Sequence, residues 1–298
     1  MGFAYVFRME ALNTIPILPH REIFWVAGLI YVLACAFGLQ SLWVHRRYSR
    51  PVMLGLMGIG WLVQTWAMGQ RGQLVGGCPL GNLFELLQFV VWSLVLLYFL
   101  VGPAFRMSLL GFFAAALAAL LGVGSLLVPT WDYPYRVTER FFGTDPLVEA
   151  HASLAVFSYG VFALLAMVAC MYFIQHWGLK HRKSEGIFSL LPSILQMDQI
   201  AYRLLIIGLA VLSISFACGI GIYTEGQQEV NVMKLVVTGG VWGAYLFLLV
   251  LRWREIYVGL SFARWCIILF AIALLSLWPV DSATHSQTGG EASSYLNE

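Results

Sequence analysis

Charge is what this chain of 298 residues has least of: aspartate, glutamate, lysine and arginine together make up 11% of it. A soluble domain carries roughly 25% charged residues to coat its surface, so this composition excludes an ordinary water-soluble fold. With 60% hydrophobic residues and a mean hydropathy of +0.80, the chain needs lipid as its solvent. The formal net charge of +2 and the lack of a basic stripe exclude a nucleic-acid partner. Cysteines number five, without a CxxC pair or a CxxCH haem-attachment site. Cys35, Cys170, Cys218 and Cys266 lie in apolar runs, where free cysteine behaves as a small hydrophobe, and Cys78 lies in a loop. Neither a disulfide framework nor a thiol redox motif is expected. HExxH, GxSxG and a glycine-rich phosphate loop before a lysine are also missing. No paired Gly/Pro-broken helices mark an inverted-repeat transporter.

What is present is a succession of apolar runs. A membrane-crossing helix needs about 20 mostly apolar residues, and candidates fall near 23–44, 52–68, 83–101, 108–128, 150–175, 202–222, 234–251 and 261–279. The expected fold class is therefore all-α, a polytopic transmembrane helix bundle of about eight spans. Residues 1–22, interrupted by Arg8, Glu10, Pro16 and Pro19, lack the apolar core of a signal peptide and form an N-terminal segment. Residues 23–280 form one membrane domain, and 281–298, rich in Gly and Ser, read as a polar disordered tail.

Basic residues give the orientation. Arg46, Arg47, Arg50, Arg106, Lys180, Arg182, Lys183, Arg203, Arg252, Arg254 and Arg264 fall on one side. Arg8, Arg21, Arg71, Arg136, Arg140 and Lys234 fall on the other. The asymmetry predicts that both termini face away from the cytoplasm.

With that sidedness, polar residues collect at the outer ends of spans. In "GGCPLGNLFELLQFVVW", Asn82, Glu85, Phe89 and Trp92 share one helix face. Intramembrane polar residues tend to face the bundle interior or a cavity, yet Asn82 also suits an N-cap and Glu85 a first-turn acid facing the helix dipole. His151 opens the face His151, Ala155, Ser158, Phe162; its spacing fits both a hydrogen-bonded structural histidine and a ligand. In span 7, Lys234, Thr238, Val241, Tyr245 and Arg252 fall near one stripe, with Gly239, Gly240 and Gly243 suited to helix packing. Arg252 is expected to snorkel to the interface. Asp132, Asp145 and Glu149, in or beside a Pro-containing outer loop, are expected to be solvated.

Three stretches resemble the cytochrome c assembly proteins, a family of haem-handling membrane proteins. "PLGNLFELLQFVVW" resembles the family's Pro-Leu-x-Asn-Leu-aromatic-Glu helix opening. "EAHASLAVFSYGVFALLAMVACMYF" is similar to its helix with an external histidine followed by Ser-Tyr, here Ser158 and Tyr159. "LPSILQMDQIAYRLLIIGLAVLSISFACGIG" resembles the helix after it, with Asp198, Tyr202, Arg203, Gly208 and Gly219 in the expected places. The family's synthase members carry a Trp-rich external loop, Trp-Gly-x-x-Trp-x-Trp-Asp, where this chain has "YTEGQQEVNVMK". A second external histidine has no counterpart, Val250 and Leu251 standing in its place. The chain thus looks closer to a short eight-helix branch linked to control of haem biosynthesis.

The resemblance implies haem as cofactor, with His151 as ligand to the haem iron and Asn82, Glu85, Met233, Lys234 and Trp242 around it. Arg71, Arg136, Arg140 or Lys234 would meet the propionates. It also implies a bacterial cytoplasmic (inner) membrane location, with lipid and a cytochrome c maturation or haem-synthesis protein as partners. The expected function is to hold or relay haem at the outer face without catalysing attachment. The alternative is a non-haem scaffold or regulator. A transporter ranks last, because the inner half is nearly bare of polar residues.

Overall fold

The structure, a computed structural model, describes residues 20–43, 49–75, 77–105, 109–133, 146–182, 188, 190–224 and 232–294; for a few of these at segment ends and for 279–294 it describes the backbone alone. The expected N-terminal segment 1–22 lies almost entirely outside that range. Helices α1 (Arg21–Trp43), α2 (Arg50–Val75), α3 (Leu83–Ala104), α4 (Leu110–Leu127), α5 (Pro146–Lys180), α6 (Ile194–Thr224), α7 (Val232–Trp253) and α8 (Leu260–Ser294) follow one another. No strand occurs among the described residues. Each of the eight contains a stretch long and apolar enough to cross a membrane, as the all-α, multi-pass reading requires. An even number of crossings returns the chain to the side on which it began.

One departure from the expected boundaries is α2, which continues to Val75 rather than ending near residue 68. Its last turns carry Gln70, Arg71 and Gln73, a polarity that suggests a loop. Arg71, however, is 1% exposed and ion-paired, so the helix goes on because its charge is met by other helices. The backbone of the polar tail is also helical, as far as Ser294, whereas its composition predicts no regular structure; the apolar span of α8 ends at Trp278. A helix already nucleated adds one hydrogen bond for each further residue.

The bundle divides into two groups that meet at α5. Helices α1 to α4 pack together, α1 against both α2 and α4. In the second group α5 packs against α6 and α8, and α7 lies mainly on α8. Contacts of α5 with α3 and α4 join the groups. As a result 72% of the α5 span is buried, against 17% for α7.

Polar side chains stitch the first group together at mid-span. The Tyr31 hydroxyl donates to Gln64 Oε1 (2.8 Å), and Gln64 Nε2 donates to Gln88 Oε1 (2.8 Å) and to the Gln88 carbonyl (3.0 Å). Gln88 Nε2 in turn donates to Ser125 Oγ (3.0 Å) and the Gly122 carbonyl (3.1 Å). One chain of hydrogen bonds thereby crosses α1, α2, α3 and α4. Each amide is satisfied inside the protein, which an apolar solvent demands.

The second group is held by shape. Gly160 of α5 lets α3 approach so closely that a Cβ there would lie 2.0 Å from Ser93 Oγ. Phe162 and Tyr245 stack at 3.7 Å between centroids, over Gly208 of α6. At the end remote from Asn82, Arg252 does not snorkel freely: it pairs with Asp198 and lies over the Tyr202 and Phe262 rings. The inner half is thus not as bare of polar groups as the sequence suggests.

The glycines of α7 do not serve the expected packing role. Among the described residues, a Cβ on Gly239, Gly240 or Gly243 would meet nothing within 4 Å. Gly239→Ala and Gly243→Ala should therefore change stability by no more than about 0.5 kcal/mol. Gly160→Ala should cost about 1–3 kcal/mol through overpacking. Thermal unfolding of the three variants in detergent checks the contrast.

Candidate functional site

Two polar assemblies occupy the end of the bundle at which α1, α3, α5 and α7 begin. The first is built around Asp132, which follows the short 3-10 turn Pro129–Trp131 after α4 and is fully buried. Arg71 grips it with both guanidinium nitrogens, Nη1 to Oδ1 at 2.6 Å and Nη2 to Oδ2 at 2.8 Å. Arg21, the first residue of α1, donates to the same Oδ2 at 3.1 Å and to the Leu126 carbonyl at 2.5 Å. Arg71 Nη1 also reaches Glu85 Oε1 at 3.1 Å. Two arginines thus face two carboxylates, and Phe24 and Phe84 lie against the guanidinium planes. Arg71 sits 5.0 Å from the Phe84 centroid and Arg21 5.2 Å. Bidentate pairing and ring contact suit the weakly hydrated arginine better than lysine.

Asn82 and Glu85 belong to this assembly. Asn82, in extended conformation, caps α3 by accepting the Glu85 backbone N–H at 2.9 Å. Glu85 Oε2 accepts the Gly81 N–H at 2.9 Å, so cap and acid brace the helix start reciprocally. The Asn82 amide donates to Asp132 Oδ1 at 3.3 Å and to the Tyr133 carbonyl at 3.1 Å. Both side chains are almost wholly buried, at 0% and 2% exposure. The N-cap and first-turn-acid roles hold, and the two residues are embedded in the ion network rather than lining an open vestibule. The solvated state expected for Asp132 is wrong. Two cations draw it inward and repay its desolvation, and a carboxylate read in isolation gives no sign of them. Arg71 is likewise taken up by Asp132 and Glu85 and is not free to meet a propionate. Arg136, Arg140 and Asp145 lie outside the described residues.

The second assembly holds His151. It sits in the second turn of α5, half-buried against α6. Its Nδ1 lies 2.7 Å from the Ser215 carbonyl, and Ser215 Oγ donates to the His151 carbonyl at 2.8 Å. The ring rests on Gly219, where a Cβ would come within 2.9 Å of Cε1. Because a carbonyl can only accept, Nδ1 carries a proton, and in the neutral ring Nε2 keeps its lone pair. No partner for Nε2 occurs among the described residues. His151 and Glu85 therefore belong to different networks, although Ser153, two residues beyond His151, donates to Cys78 Sγ at 3.6 Å and ties the loop before α3 to α5.

The remaining expected residues are spread along α7. Trp242 donates its indole N–H to Ser213 Oγ at 2.9 Å and meets Phe216 edge-on, bridging α6 and α7. Met233 is 53% exposed in the first turn. The Lys234 side chain lies outside what is described. Between α7 and α8 a laterally open groove of about 210 Å³ is lined by Val236, Val237, Gly240, Ala244, Leu269 and Ile272. It marks where the packing loosens. Arg21 and Ser215 escaped the sequence reading. A cation opening a span is a general signal of an interior partner, but a serine inside an apolar run carries no signal.

All five cysteines are free thiols. Burial pushes the Cys78 thiol up; the Ser153 hydroxyl works against that, and Glu149 and Glu85 add to it. A raised value means little thiolate at neutral pH. In a variant keeping only Cys78, alkylation should be slow at pH 7 and rise above the ordinary thiol range. Ser153→Ala should slow it further, as stopped labelling with mass readout would report. For the ion network, Asp132→Ala strands two buried cations and should cost about 3–5 kcal/mol. Asn82→Ala should cost about 1 kcal/mol through loss of the cap. Denaturant unfolding in detergent checks both.

Residues 80–286 match the family described as Cytochrome C assembly protein. Among curated proteins, the chain is 27% identical over 268 residues to "Protein HemX" of Brevibacillus brevis, covering 88% of this chain and 97% of that protein. It is 26% identical over 194 residues to "Protein HemX" of Bacillus subtilis (strain 168), covering 64% and 69%. It is 24% identical over 205 residues to "Cytochrome c biogenesis protein CcsA" of Chlamydomonas reinhardtii, covering 64% of this chain and 52% of that protein.

Proposed function

The chain belongs to the cytochrome c assembly protein family, and from that premise we propose that it binds haem at the outer face of the bacterial cytoplasmic membrane, with His151 as ligand to the iron, and assists cytochrome c biogenesis by holding or relaying the haem. The observation that carries this reading is the state of His151. One ring nitrogen is fixed on the Ser215 carbonyl, and the other has no partner among the described residues. Metal-bound histidines almost always donate their second nitrogen to a carbonyl or carboxylate in this way.

The donor chemistry is compatible with haem, which would ask a single imidazole nitrogen of the protein. When bound, haem supplies the iron and the redox chemistry. The chain supplies the remainder. His151 Nε2 would donate its lone pair to the iron, Ser215 would orient the ring, and Met233 and Trp242 of the little-buried α7 would offer apolar contact. Asn82 and Glu85 contribute at one remove, by holding the start of α3 and, through the Tyr133 carbonyl, the chain leaving α4.

Absorption spectra and pyridine haemochrome quantification of purified protein, expressed with ample haem, test the proposal. The expected result is near-stoichiometric haem with a Soret band, falling at least tenfold in content for His151→Ala. Equal haem content in the two proteins would sink it. A second reading, a non-haem scaffold or regulator with a haem-synthesis or assembly partner, draws on the buried Asp132 network, whose two carboxylates are both bound to cations inside the protein. It gains if the protein stays colourless and pull-down returns a membrane partner.

A further inference from the structure

A single axial histidine works only if its ring is aimed and its proton sits on the nitrogen facing away from the ligand. We propose that Ser215 and Gly219 are the positioning residues that impose both conditions on His151. The identity of the ligand rests on the haem reading above, but the geometry of the imidazole does not.

Two contacts assign the proton. The Ser215 carbonyl, 2.7 Å from Nδ1, has no proton to give, so the imidazole donates. The Ser215 hydroxyl also lies 3.2 Å from Nδ1, but its own proton is committed to the His151 carbonyl at 2.8 Å. It too can only accept from the ring. Both contacts select the Nδ1–H tautomer and leave Nε2 as the basic nitrogen. The hydroxyl–carbonyl bond also pins the α5 main chain at His151, so backbone and ring of the same residue are held by the same serine.

Gly219 supplies the space. It lies one helical turn beyond Ser215, on the same face of α6. A Cβ there would stand 2.9 Å from Cε1, 3.1 Å from Nδ1 and 3.6 Å from Nε2. A methyl group would therefore press on the edge of the ring that carries the hydrogen bond. The ring is the mobile end of a side chain, so it can swing away with little loss of stability. It would then leave the Ser215 carbonyl. Gly219→Ala thus separates aim from fold: the protein keeps its stability and loses the fixed tautomer. Gly221 is the control, since its Cβ would meet only Leu147 Cδ2 at 3.3 Å, a contact a leucine can relax.

The test reads the empty protein first. Histidine labelled with ¹⁵N in the ring, with His151→Gln subtracted to identify the signal, should show a protonated Nδ1 and an unprotonated Nε2 at alkaline pH. Gly219→Ala should replace that single state by a mixture, and Gly221→Ala should not. Haemin titration followed at the Soret band should then show about a 10–100-fold weaker affinity for Gly219→Ala, with unfolding temperature unchanged. Ser215→Ala keeps the main-chain carbonyl, so the tautomer should persist and affinity fall only a few-fold. A protonated Nε2 in the parent protein overturns the proposal. So does a Gly219→Ala variant that keeps both tautomer and affinity. A locked tautomer in a protein that binds no haemin supports the positioning role and removes the haem reading instead.

Discussion

The rest of the architecture hangs on the burial of Asp132 between Arg21 and Arg71. A charge withdrawn into a membrane protein must be met by groups of the protein, because lipid offers none. Here a guanidinium from the start of α1 and another from the end of α2 converge on one carboxylate after α4, and the second guanidinium also binds a carboxylate from the start of α3. Removing any member leaves its partners charged and dry, a far larger penalty than the pair's net contribution to stability. The network therefore does more to specify the arrangement of four helices than to stabilise it. It also fixes where the chain leaves α4 on its way to α5 and His151. The family match begins at residue 80, so Arg21 and Arg71 are contributed by the two helices that precede the matched region.

The two halves of the bundle solve the same problem differently. In α1 to α4 a continuous set of hydrogen bonds, from Tyr31 through Gln64 and Gln88 to Ser125, leaves no amide to seek another partner. Such a saturated half is suited to be a frame. In α5 to α8 close packing adds to a few polar contacts, with Gly208 and Gly219 each receiving a neighbour's side chain. Helix α7 is held on one flank by Trp242 and Ser213 and at its far end by Arg252 and Asp198. Its other face is open.

The helices themselves were legible in the sequence, because lipid admits few alternatives to a run of apolar residues closing its own hydrogen bonds. All eight spans lie where the apolar runs do, with boundaries displaced most at α2, α6 and the C-terminal end. The family motifs, Asn82 with Glu85 and His151 with Ser158, also stood out, since a polar side chain in an apolar context is conspicuous. What each would touch was not legible. Asn82 and Glu85 read either as the rim of a cavity or as cap and first-turn acid; they are cap and acid, and parts of a buried ion network. The glycines of α7 looked like a packing stripe and face open space. Asp132 looked solvated and is the most enclosed charge of the set.

The sequence by itself thus determined the solvent, the number of crossings and which residues stand at the ends of helices, because these follow from hydropathy and spacing within one segment. Only the tertiary structure decided the partners. Arg21 and Asp132 lie 111 residues apart, Arg71 and Asp132 are separated by 61, and His151 and Ser215 by 64. Pairings across such distances are chosen by how helices align across the bundle, and no periodicity within a helix encodes that alignment. The tautomer of His151 is decided at the same level, since a carbonyl of another helix tells its two nitrogens apart.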